Sequence, residues 1–194
     1  MADNTEIGGG RRRGRWRVAV WAAAALILLL PLLAMQFTDE VAWSLTDFVF
    51  AGALLSGAGL TYELVARTTA NTAYRAAVGL AVAAALILIW LSLGVGIIGK
   101  DGDPANLMYF GVLAVGIIGA LIARFRPRGM ARALFATALA QMSVAVIALI
   151  AGLGDPWSGP LELSALNGFF VALFVGSGWL FRRAAHGRPE PGPA

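Results

Sequence analysis

The stretch Ala76–Gly99, "AAVGLAVAAALILIWLSLGVGIIG", carries no charged residue. As a helix rising 1.5 Å per residue it would be about 36 Å long, more than the roughly 30 Å hydrocarbon core of a bilayer. Its last six residues, Gly94-Val95-Gly96-Ile97-Ile98-Gly99, also spell the G-x-G-x-x-G of dinucleotide-binding loops. That fingerprint requires a strand before it, a helix after it and an acidic residue about 20 positions on. Here the glycines close a helix-length apolar run, and a second Val-Gly-Ile-Ile-Gly at 115–119 lies inside another such run. The stretch therefore reads as a membrane span whose glycines serve helix packing, and no nucleotide is expected.

The rest of the chain supports this. Apolar residues make up 59% of the 194 positions and charged residues 13%, with a mean hydropathy of +0.75; a soluble domain carries about 25% charged residues. So short a chain must show its surroundings much of its surface, so the natural solvent is lipid. Six segments of about 20 apolar residues qualify as spans: 18–37, 45–66, 74–99, 106–123, 130–153 and 163–181. The expected fold is all-α, a polytopic transmembrane bundle of six antiparallel-connected helices over residues 16–183. A basic tail (1–15) and a polar tail (184–194) are expected to be disordered.

Charge placement sets the expected orientation. Arg11, Arg12, Arg13, Arg15, Arg17, Arg67, Arg75, Arg124, Arg126, Arg128, Arg132, Arg182, Arg183 and Arg188 fall on one side, and only Lys100 falls on the other. Both termini are thus expected in the cytoplasm. The pI near 10.3 becomes a topology signal, with Arg11, Arg12, Arg13, Arg124, Arg126, Arg128, Arg182 and Arg183 as headgroup anchors and no nucleic-acid partner. "RRRGRWR" before an apolar run also resembles an export signal. The run is longer than a usual signal core and five spans follow, which favours a retained anchor.

Small residues spaced i, i+4, i+7, i+11 share a helix face and let backbones approach in lipid. Such stripes are Gly52, Ser56, Gly59 and Glu63 in the second span; Val112, Gly116, Gly119 and Ala123 in the fourth; and Gly168, Ala172 and Gly176 in the sixth. The fifth has Ala133, Thr137, Gln141, Ala145, Ala148 and Gly152. "GDP" recurs at 102–104 and 154–156, and Asp47, Asn106 and Asn167 stand near the outer starts of the even spans. This suggests three helical hairpins related by duplication. Asp103-Pro104 and Asp155-Pro156 read as an N-cap followed by Pro at the first helical position, and Ser44-x-x-Asp47 as a capping box.

Two polar residues inside spans are the candidate intramembrane site. Glu63 either pairs with Arg67 one turn on or faces other helices as an ionisable group in the membrane. Gln141, near the middle of the fifth span, is either a hydrogen bond between helices or a contact for a polar solute. Pro31 interrupts the first span and should kink it. The chain has no cysteine and a single histidine, His186, in the tail. That leaves no His cluster or thiolate within the spans, and no carboxylate pair or G-x-S-x-G turn is present. Neither an enzyme, a cofactor nor a metal site is expected.

The stretch "NLMYFGVLAVGIIGALIARFRPRGMARALFATALAQ" (106–141), with "FTDE" (37–40), "AYRAAVG" (73–79) and "LFRRAA" (180–185), resembles a group of small bacterial inner-membrane proteins with no assigned activity. The resemblance spans roughly residues 31–185 and implies a bacterial inner membrane, with no functional residue to carry over. The expected function is that of a non-enzymatic accessory or structural subunit acting through helix packing. Its partners would be membrane lipids and a second copy or another membrane protein. The alternative is a small-solute or ion channel or transporter.

Overall fold

A computed structural model describes residues 18, 21–22, 24–38 and 42–186. Every regular element among them is helical. Helix α1 covers Ala24–Ala34 and runs through Pro31. It is followed by α2 (Leu45–Thr68), α3 (Thr72–Gly94), α4 (Met108–Ile122), α5 (Pro127–Ile150) and α6 (Pro160–His186), and a single 3-10 turn at Pro104–Leu107 leads directly into α4. Helices α2, α3, α5 and α6, and α4 together with its 3-10 turn, are each long and apolar enough to cross a membrane. Among the described residues there are five such helices where six were expected, a pattern that suggests a multi-pass membrane protein. The first expected span is represented by the shorter α1, and Arg11, Arg12 and Arg13 lie outside the described residues. Helix α6 includes residues 184–186 of the expected C-terminal tail; the rest of that tail and the expected tail at 1–15 lie outside the described residues.

The chain divides into two units, residues 1–63 and residues 64–194. In the first, α1 lies against the glycine stripe of α2. A Cβ at Gly59 would meet the Trp21 indole at 3.6 Å, and one at Gly52 the Leu28 Cδ1 at 3.9 Å. Ser56, on the same stripe, is half-buried. The capping box opens α2: the Ser44 amide and hydroxyl both donate to Asp47 Oδ2 at 2.7 Å, and the Asp47 amide returns to Ser44 Oγ at 3.3 Å.

In the second unit α4 packs on α5, α5 on α6, and α6 on α3. The buried face of α6 is Leu163, Asn167, Phe170, Phe174, Ser177, Phe181 and Ala184, a 4-3-4-3 spacing that presents one stripe to the core. Large rings fill this core, and Phe181 meets Tyr74 edge-on with ring centres 5.1 Å apart. This corrects the expected small stripe. Gly168 and Ala172 are exposed, a Cβ at Gly168 would meet nothing within 4 Å, and one at Gly176 would make only ordinary contact with Leu80. The close-approach glycine of α6 is Gly178, 3.1 Å from the Phe135 ring and 3.3 Å from the Ala131 carbonyl oxygen by the same measure. Helix α4 does use its stripe: a Cβ at Gly119 would stand 2.7 Å from Ala133 Cβ, and one at Gly116 would stand 3.1 Å from Thr137 Oγ1.

Charge separates by end within this unit. The Tyr74 hydroxyl donates to the Phe125 carbonyl at 2.7 Å, and Asn71 Nδ2 to the Ala184 carbonyl at 3.3 Å. These contacts bring the start of α3, the α4–α5 turn and the end of α6 to one end, which carries Arg75, Arg124, Arg126, Arg128, Arg182 and Arg183. Lys100 stands at the other end. There the loop after α3 meets the loop after α5, with Ser158 Oγ donating to the Gly99 carbonyl at 3.1 Å.

Candidate functional site

The site grows from the end of α3. The span expected to run to Gly99 stops at Gly94, because Gly96 (φ +79°) and Gly99 (φ +70°) take the left-handed conformation that breaks a right-handed helix. A Cβ at Gly96 would stand 2.5 Å from the Lys100 carbonyl, so only glycine fits. The chain turns back and buries Ile97 and Ile98 at 1% and 0% exposure. The G-x-G-x-x-G thus forms a turn that closes the Lys100 end of the second unit; in this it departs from the expected helix packing.

Asn106 holds that turn. Its Oδ1 accepts from the amides of Ile97 (2.9 Å) and Ile98 (3.0 Å), and its Nδ2 donates to the carbonyls of Ile98 (2.9 Å) and Asp103 (3.3 Å). A buried backbone folded back in this way needs each polar group met. Asp103 caps the 3-10 turn through the Ala105 amide at 2.8 Å, with Pro104 at its first position, as expected. Asp155-Pro156 differs: it lies in the loop, through a cis peptide bond, before α6 starts at Pro160. The two "GDP" copies therefore adopt different structures.

One turn further along, Tyr109 of α4 enters the core, where it meets Gln141 of α5 and Asn167 of α6. The Tyr109 hydroxyl donates to Asn167 Oδ1 at 3.1 Å and Gln141 Nε2 donates to the same oxygen at 2.9 Å. Asn167 Nδ2 donates to the Leu163 carbonyl one turn back, at 2.9 Å. Tyr109 and Gln141 are 0% exposed and Asn167 is 1% exposed. Gln141 Oε1 has no hydrogen-bond partner among the described residues. Counting along the helices, Asn167 lies about 10 Å from the start of α6 and Gln141 about 13 Å from the end of α5. The cluster is therefore well inside the apolar zone, nearer the Lys100 end.

The structure places Gln141 in this cluster and Glu63 elsewhere, half-buried on α2 one turn before Arg67. Sequence reasoning found Gln141 and missed Tyr109 and Asn167 as its partners. Their shared depth shows only with the observed helix ends: Asn167 is seven residues into α6 and Gln141 nine from the end of α5, whereas the expected spans put them four and twelve residues deep. The anchors Arg124, Arg126, Arg128, Arg182 and Arg183 are all exposed, and Arg183 lies 3.6 Å over the Trp179 ring. Among the described residues no group of three His, Cys, Asp or Glu side chains could hold a metal. No family model, curated protein or solved structure matches this chain.

Proposed function

We propose that the chain is an integral protein of a bacterial inner membrane, crossing it six times with both termini in the cytoplasm. In this reading it serves as a non-enzymatic accessory or structural subunit that works through helix packing. The observation that carries the reading is the closure of the Tyr109–Gln141–Asn167 cluster. These polar side chains, buried among the helices, are spent largely on one another and reach no solvent, as interhelical fasteners do. The two amides are neither acids nor bases near neutral pH, and the Tyr109 hydroxyl is engaged as a donor to Asn167 Oδ1. The exposed Gly168 and Ala172 of α6 support association, since small residues not used in a chain's own core suit the approach of a further transmembrane helix.

The test is the mass of the particle extracted in mild detergent, with Gly168→Leu as the probe. An oligomer or partner complex that Gly168→Leu disperses supports the reading. A strictly monomeric wild-type particle that recovers no partner contradicts it. The second reading, a channel or transporter, draws on the unpartnered Gln141 Oε1, an acceptor free to take a donor from a polar solute. It requires flux in reconstituted vesicles that Gln141→Leu abolishes.

A further inference from the structure

At the arginine-rich end of the second unit, a pocket of about 380 Å³ opens between α5 and α6, lined by Arg128, Ala131, Arg132 and Phe135 from one helix and Arg182 and His186 from the other. The lining holds no carboxylate. Three exposed arginines line one recess with no acid among them, and like charges gathered in this way favour an anion. Arg182 sits 5.9 Å from the Phe135 ring centre, a contact that orients its planar fork. His186 Nδ1 donates to the Arg182 carbonyl at 2.7 Å, which turns the ring's Nε2 away from the helix backbone.

The helix face below the pocket is equally specific. From Arg128 the 4-3-4-3-4 spacing runs through Arg132 and Phe135 to Leu139, Met142 and Val146, which are 63%, 48% and 47% exposed. One face of α5 thus presents cations at its end and an uncovered apolar track beneath. That pattern matches an amphiphile with a phosphate head and hydrocarbon tails; a soluble anion would use only its upper part. Basic pockets between membrane helices are known to take anionic headgroups, and guanidinium groups bind phosphate through paired hydrogen bonds.

We propose that this pocket binds the phosphate of an anionic phospholipid, held by Arg128, Arg132 and Arg182, with the acyl chains along Leu139, Met142 and Val146. The inference rests on α5 and α6 lying in a membrane and is independent of the subunit role.

The test uses the full chain in neutral detergent, exposed in turn to diphosphatidylglycerol, phosphatidylglycerol, phosphatidylcholine and inorganic phosphate, with bound lipid counted by native mass spectrometry. One anionic phospholipid per chain is expected, retained about tenfold better than phosphatidylcholine. R132A combined with R182A should lower retention about tenfold, while R75A, at the same end but outside the pocket, should change it less than about twofold. If the double variant does not fold, R182A alone, at the exposed end of α6, should lose about threefold. Undiminished retention in R182A would overturn the assignment. So would equal losses in R75A and the double variant, which would signify diffuse charge attraction. Binding of inorganic phosphate with no preference for anionic lipid would place a soluble anion in the pocket and overturn the lipid assignment.

Discussion

Asn167 Oδ1 on α6 accepts from both Tyr109 on α4 and Gln141 on α5, so one side chain fastens three helices. The two amides are therefore unequal. Asn167→Leu strands two buried donors and is expected to cost about 1–3 kcal/mol. Gln141→Leu removes one hydrogen bond together with the unpartnered Oε1, and is expected to stay within about 1 kcal/mol of wild type. Unfolding in mixed detergent measures both. Equal losses would show that Gln141 holds a stabilising contact beyond its bond to Asn167, against the arrangement described.

The glycines of α4 and α6 make opposite predictions. Gly119→Ala pushes a methyl group to 2.7 Å from Ala133 Cβ and should destabilise by about 1–3 kcal/mol, the usual cost of overpacking. Gly168→Ala meets open space and should be neutral or stabilise the monomer by up to about 1 kcal/mol through helix propensity. Thermal melting of the two variants checks the ranking, and a reversed order would mean that α6 packs by its glycine stripe after all.

The turn at 95–103 gives a third outcome. Gly96→Ala combines a left-handed backbone with a 2.5 Å approach to the Lys100 carbonyl, and should cost about 2–3 kcal/mol. Gly102→Ala, at φ +75° but facing open space, should cost about 1 kcal/mol. Adding a nicotinamide dinucleotide should leave the wild-type melting temperature unchanged. A dinucleotide-dependent rise would restore the fingerprint to its usual meaning.

Span-length apolar runs, arginine placement and capping residues were legible because each depends on composition within one segment. Ser44–Asp47 and Asp103–Pro104 close their caps within a few residues, and the structure has both. What could not be read depends on rotation about a helix axis. Gly168, Ala172 and Gly176 form as regular a stripe as the residues α4 buries, yet the core is large enough to demand Phe170, Phe174 and Phe181, and so turns the stripe outward. The end of α3 was misplaced for a related reason. Val95, Ile97 and Ile98 suit a helix, and the fold-back at Gly96 and Gly99 depends on the Asn106 side chain, several residues on, to meet the turn's backbone groups. The amide cluster lay between these cases, with Gln141 conspicuous and its partners hidden by the unknown pairing of helices.

In the proposed arrangement lipid surrounds these helices, with the arginine-rich end of α3–α6 and Lys100 on opposite faces of the membrane. Because the chain contains no cysteine, single thiols report this directly. With a membrane-impermeant maleimide on intact bacterial cells, Lys100→Cys should label fully, while Arg126→Cys should label only after the membrane is opened. Labelling of both positions in intact cells, or recovery of the wild-type chain in the soluble fraction without detergent, would overturn this placement.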